Sequence, residues 1–209
     1  MNINKTACRR LFREAVKTKN RKLKTIFSLL FIATALFVSN PITALGITEP
    51  DISFNGTGYV VHNNAAGGNS HDYGYSIITD SSGKILVTGY IRNASGNDDM
   101  AIWRYNSNGT LDTTFNGTGY VIHNNAAGGN SNDEGRSIVM DSSGRIVVAG
   151  SSNRSASGNA DMAIWRYNSN GTLDTTFNGT GYVVHNNAAG GNYDDYGKSI
   201  TIDSSGKIL

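Results

Sequence analysis

Three aspartates, Asp72, Asp133 and Asp195, stand at one position of three successive copies of the same sequence. Carboxylates beside Asn side chains and backbone carbonyls suit a hard cation, calcium above all. The loops lack the Asp-x-Asp-x-Asp-Gly spacing that specifies such a site, and turn-forming Asx residues account for the same composition. Three histidines also repeat, His62, His123 and His185. One imidazole per copy around an axis could ligate a metal; the plainer reading is that each satisfies a carbonyl at a strand end. His71 is not repeated, since Asn132 and Asp194 replace it. Trp103-Arg104-Tyr105 and Trp165-Arg166-Tyr167 set a cation between aromatic rings. Exposed, Trp103, Arg104, Trp165 and Arg166 would stack on a carbohydrate or a partner protein. Packed between sheets, each arginine would cover a ring, and packing is the favoured reading. Glycoside chemistry needs two unique carboxylates facing a cleft, whereas nearly every carboxylate here is repeat-borne. Ser-His-Asp order, a phosphate loop and a zinc signature are all missing from the sequence. A binding or structural scaffold without enzymatic activity is therefore expected. The alternatives are a propeller-based carbohydrate-active hydrolase or lyase, and a truncated fragment without independent function.

The elements that would position these residues follow from the repeat. Phe54-Asn-Gly-Thr-Gly-Tyr-Val returns at Phe115 and Phe177, spacings of 61 and 62 residues. The resulting frame is repeat 1 over 54–114, repeat 2 over 115–176 and an incomplete repeat 3 over 177–209. Periods of this size mark solenoids, propellers or arrays. Each repeat holds four short runs rich in β-branched and aromatic residues, in the first copy 58–63, 75–79, 85–89 and 100–105. Asp80-Ser81-Ser82-Gly83-Lys84 between the second and third suits a type I turn with Gly83 left-handed, a tight antiparallel hairpin. Such a hairpin favours four-stranded propeller blades over a β-solenoid, whose coils pair in parallel. Adjacent apolar residues, Ile77 with Ile78 and Ile85 through Val87, would cover both faces of a sheet lying between neighbours. Positions such as Tyr75, Arg136 and Lys198 differ while the frame is kept, the pattern of a tunable binding face or of drift at solvent-exposed sites.

Leu111-Asp-Thr-Thr-Phe115 with Gly117 and Gly119, Ser143-Gly144-Arg145-Ile146-Val147-Val148-Ala149-Gly150, and Met162-Ala-Ile-Trp-Arg-Tyr-Asn168 together resemble the delta-60 repeat of exported bacterial proteins. The resemblance covers nearly everything after residue 50. It implies an all-β, propeller-like fold and no particular activity. The chain departs from that pattern in Phe-Asn-Gly, where Phe-Gly is commoner, and in Ser-Ser-Gly-Lys, where Asp-Gly-Lys is commoner.

Charge is divided sharply along the chain. Nine basic residues and one acid lie between Lys5 and Lys24; the remainder carries nine basic residues against fifteen acids. The pI of 8.6 thus comes from the leader, and an acidic body would repel a nucleic acid. The basic run, the apolar stretch 26–38 and the small residues after Pro41 have the anatomy of a signal peptide over 1–46, cleaved after Gly46 or, second, after Ala44. Export to the periplasm, cell surface or medium is expected, with membrane attachment only if that segment is retained. The one cysteine, Cys8, lies in the leader, so disulfides cannot stabilise the body. About two and a half repeats follow Phe54, which fits a fragment of a longer product or a protomer that self-associates to close a propeller.

Overall fold

The computed structural model describes residues 49–209 apart from 64, 66, 68, 69, 154–157, 188, 189 and 192. The signal segment 1–46 lies outside the described residues. Among them no helix is long and apolar enough to cross a membrane.

Residues 50–209 form one unit, and its regular structure is all β. Strands β1 (Asp72–Thr79), β2 (Ile85–Arg92), β3 (Asp98–Tyr105) and β4 (Tyr120–His123) make one antiparallel sheet in that order. Strands β5 (Asp133–Met140), β6 (Ile146–Asn153), β7 (Ala160–Tyr167) and β8 (Tyr182–His185) make a second with the same order. Purely antiparallel pairing excludes the solenoid. The 80–84 hairpin forms as its residues require: Asp80 and Lys84 close it, and Gly83 takes φ 76°.

The four-strand count is correct, but its phase is shifted. Each sheet begins at the second run of the sequence repeat and ends with the first run of the next copy. The blades are therefore 72–123 and 133–185. Residues 58–63 are correspondingly not a strand of the first sheet. His62 instead lies across the face of that sheet, with its ring 6.0 Å from Trp103 and 5.5 Å from Tyr120. A third copy begins with 196–202 and turns back through the 203–207 hairpin, where Ile202 bridges Ile208.

The blades stack face to face. Strand β5 packs across β1, β2 and β3, so the second sheet meets the first along its own first strand; β1 and β5, the first strand of each sheet, are termed the inner strands. The main core lies between them, with Leu86, Met100, Ile102 and Phe115 of the first blade against Ile138, Val148 and Trp165 of the second. Burying side chains of this size stabilises the stack by about 1.5–3 kcal/mol each. Ile200, Ile202 and Ile208 of the third copy cover the far face of the second sheet. On the first sheet, Ile77 is 64% exposed whereas its equivalent Ile138 is 2% exposed. A cleft of about 420 Å³ opens beside Ile77, between Val60, His62, Val87 and Trp103.

One irregularity recurs at the same place in both blades. Register slips between Gly74 and Ser76 in β1, and between Gly135 and Ser137 in β5. The bulged residues are Tyr75 and Arg136. A bulge leaves one residue out of the ladder and re-aims its side chain. The glycine just before it, Gly74 or Gly135, faces Gly89 or Gly150 across the ladder.

Candidate functional site

Each blade has two ends of different character. At one end lie the β1–β2 turn and the β3–β4 loop, the turn rim. The loop sequence Tyr105–Tyr120 is repeated without a change at Tyr167–Tyr182. Its backbone ties neighbouring blades together: Asn116 N donates to Asn170 O (2.7 Å), and Arg104 Nη1 donates to Ser169 O (2.5 Å). Altering this rim alters the fold, which is a physical reason for its sameness.

At the other end lie the connectors between blades and the starts of the inner strands, the connector rim. Here the repeats diverge. Tyr73, Glu134 and Tyr196 are equivalent, as are Tyr75, Arg136 and Lys198, and Tyr90 with Ser151. The fold gathers these side chains into one row. The Arg136 guanidinium lies 5.9 Å from the Tyr75 ring centroid and 4.9 Å from that of Tyr196. Lys198 Nζ sits 4.4 Å over Tyr196. Arg136 Nη2 donates to Glu134 Oε2 at 2.6 Å, which fixes the guanidinium between the two rings. Tyr73 and Tyr75 stack at 6.3 Å with planes 21° apart, and both touch Tyr90. Burial and the neighbouring Tyr75 and Asp98 push the Tyr90 hydroxyl well up, so it stays protonated and hydrogen-bonds Tyr75. Tyr73, Tyr75 and Tyr196 keep 40–48% of their surface in solvent. In the sequence Tyr73, Glu134 and Tyr196 stand out only as the varying neighbours of the repeated aspartates, without a site role, and Tyr90 not at all. The signal that could have found them is their difference between otherwise matching repeats.

The Trp-Arg pairs belong to the core. Trp103 is 4% and Trp165 0% exposed, and Trp103 lines the cleft beside Ile77. Arg104 lies 4.6 Å from the Phe115 ring and Arg166 4.6 Å from Phe177. Their Nε atoms donate to Asp112 at 2.8 Å and Asp174 at 2.7 Å. The arginines thus clamp the turn rim, each over a phenylalanine of the β3–β4 loop or its copy rather than over a ring of its own triplet.

The repeated aspartates are placed one per connector. Asp133 is fully buried; its Oδ2 accepts from Asn125 N at 2.9 Å. Asp195 Oδ2 accepts from Asn187 N at 2.9 Å. Both partner residues have positive φ, 77° and 67°, so each carboxylate pins a left-handed backbone turn eight residues earlier in the connector. Asp72 is the equivalent of Asp133 in the first blade, at the start of β1. Among the described residues, no three His, Cys, Asp or Glu side chains gather around a point where one ion could sit. His62 and His123 likewise occupy separate aromatic nests, and His185 is exposed. His62 Nδ1 is 3.2 Å from the Tyr105 hydroxyl, and His123 Nδ1 is 2.9 Å from that of Tyr167.

Two of these buried groups titrate in opposite senses. Burial raises the Asp133 carboxyl to about 6, against hydrogen bonds from Ser152 and Asn125. Burial lowers the His123 imidazole to about 4. Between pH 4 and 6 native Asp133 keeps a proton that the unfolded chain releases, so its contribution falls as pH rises. Over pH 4 to 6.5 native His123 refuses a proton that the unfolded chain binds, so its contribution grows with pH. The two oppose each other in the wild type. Melting curves of Asp133→Asn should therefore rise more steeply with pH across this window than those of the wild type. His123→Gln should shift the slope the other way. Parallel profiles for all three proteins would remove both assignments.

Four-stranded antiparallel blades, stacked by their faces, define a β-propeller repeat protein. A family model described as a domain of unknown function, the DUF5122 β-propeller, matches residues 81–115 and 142–177. Each match runs from the first hairpin through the second and third strands to the turn rim. Residues 116–141, which carry Glu134 and Arg136, fall between the two matches. A search of curated proteins gives no match.

Proposed function

We propose that the chain is an exported, non-catalytic binding module built from delta-60-type propeller repeats, and that it meets its ligand through the connector rim. One observation carries this reading. Residues that differ between repeats, Tyr75, Arg136 and Tyr196 with Lys198, converge in a single solvent-exposed row while the β3–β4 loop of the opposite rim is repeated unchanged. Bulges are common beside functional sites because they turn a side chain out of the ladder, and Tyr75 and Arg136 are both bulge residues. A repeat frame with interchangeable side chains at one rim supplies a rigid surface of adjustable chemistry. Export rests on the leader: a basic run, an apolar core and small residues at the expected cleavage point.

The test is a binding screen of the full chain against glycan and peptide arrays, run beside two variants. Tyr75→Ala/Arg136→Ala/Lys198→Ala strips the connector rim, and Asn108→Ala alters an exposed side chain on the turn rim. The expected result is a ligand signal reduced at least about tenfold by the first, as for loss of a binding hot spot, and unchanged by the second. A signal indifferent to the triple variant would contradict the reading.

A further inference from the structure

The chemistry of the row narrows its ligand, given that the rim is the binding face. Aromatic planes and charged groups alternate along it: Tyr73 and Tyr75, then Arg136 with Glu134, then Tyr196 with Asp194 and Lys198. The charges cancel. Arg136 is bridged to Glu134 at 2.6 Å, and the Tyr196 hydroxyl donates to Asp194 Oδ2 at 3.2 Å. With Lys198, the four charged side chains sum to zero. Nearby Arg92 and Asp98 are likewise paired, at 2.8 Å. An anionic ligand drawn to Arg136 would meet the Glu134 carboxylate beside it, on a body whose own charge is negative. An apolar peptide would find a charged pair interrupting every aromatic patch, and burying such pairs is costly.

We infer that the connector rim binds a neutral oligosaccharide, laid across β1, β5 and the 196–202 segment of the third copy. The C–H faces of pyranose rings match the exposed Tyr73, Tyr75 and Tyr196 planes, which bury large area at little entropic cost. Sugar hydroxyls both donate and accept, and the row offers both: carboxylate oxygens of Glu134 and Asp194, N–H groups of Arg136 and Lys198, and the tyrosine hydroxyls. Arg136 is already held between two rings and tied to Glu134, so little ordering is left for binding to supply. Neighbouring sheets pack about 10 Å apart, and the row therefore extends on the order of 20 Å. That length suits a chain of several sugar units better than a monosaccharide.

Calorimetry on the full chain tests this with cellohexaose, laminarihexaose and mannohexaose as neutral probes, hexagalacturonate as the anionic glycan, and hexaglutamate as the acidic peptide. At least one neutral hexasaccharide should bind, with affinity nearly independent of salt. Tyr73→Ala and Tyr75→Ala should each weaken it about tenfold, and circular dichroism should show both variants folded. Binding restricted to hexagalacturonate or hexaglutamate, and lost in high salt, would overturn the neutral class yet leave the rim as the binding face. Neutral binding undiminished in both tyrosine variants would overturn the rim itself. Failure of all five probes to bind would overturn the inference.

Discussion

Replacing Gly150 by alanine is expected to unfold the second blade, at a cost of about 3 kcal/mol or more. A Cβ at Gly150 would run into the Glu134 carbonyl oxygen, with the Glu134 carbonyl carbon 2.9 Å and the Gly135 Cα 3.1 Å away. All three are backbone atoms of the paired inner strand, so no rotamer change relieves the overlap. Gly150 O also accepts from Gly197 N at 2.9 Å, which couples the third copy to the same point. Gly89→Ala should behave alike, because its Cβ would meet the Tyr73 carbonyl oxygen. The informative control is Gly117→Ala. Gly117 has φ 76° but nothing within 4 Å of its would-be Cβ, so only left-handed strain of about 1–2 kcal/mol applies. Urea melts of the three variants check the order. A mild Gly150→Ala would mean that the glycine pair does not set the bulge, and the re-aiming of Arg136 would need another cause.

The second large effect is expected at Asp112, on the turn rim. Its Oδ2 accepts from Lys84 Nζ at 2.6 Å and Arg104 Nε at 2.8 Å, and its Oδ1 from the Thr114 hydroxyl at 2.7 Å. Burial alone would raise this carboxyl, but the Lys84 and Thr114 hydrogen bonds and the Arg104 charge hold it well below the usual carboxylate range. Asp112→Ala leaves the buried Arg104 without its counter-ion, and a loss of about 2–3 kcal/mol is expected, reduced from the fully buried case because Lys84 is partly exposed. A depressed native value means the contribution is complete above the ordinary carboxylate range and disappears as pH falls below it. The gap between wild type and Asp112→Ala should accordingly close in acid. Asp174→Ala should cost less. In the second blade Arg145 replaces Lys84 and turns to Asp141 at 2.6 Å, lying 3.9 Å from Asp174. Chemical denaturation at neutral and acid pH measures both differences; equal losses at Asp112 and Asp174 would contradict the account.

Much of the fold was written locally in the sequence. The turn chemistry of Asp80–Lys84 and the β-branched runs fix antiparallel hairpins wherever they occur. That Arg104 packs over an aromatic ring is a reading the sequence offers, but that the ring is Phe115 and the counter-ion Asp112 is not. The phase of the blade was not. A tandem repeat determines a period, and any starting residue describes it equally. Which copy the Tyr120–His123 segment pairs with is settled only by long-range packing against Met100–Trp103. The bulge was hidden for a similar reason, since Gly74 and Gly135 read as ordinary strand glycines until they face Gly89 and Gly150. The repeated aspartates leave two readings open in the sequence, because a carboxylate that holds a backbone turn and one that ligates calcium have the same composition around them. Tyr75, Arg136 and Lys198 stand out as variable, but their meeting in one row depends on how β1, β5 and the 196–202 segment are brought together.

That convergence is the central claim, and cross-linking tests it directly. In a Cys8→Ser background, Tyr75→Cys paired with Arg136→Cys, and Arg136→Cys paired with Lys198→Cys, should each be joined readily by a short bis-maleimide. Tyr75→Cys paired with Ser143→Cys, at opposite ends of neighbouring blades, should not. Fast cross-linking of both rim pairs and a slow control is the result expected if the inner strands bring the repeat-specific residues together. A control pair that reacts as fast, or rim pairs that fail to react in folded protein, would contradict it.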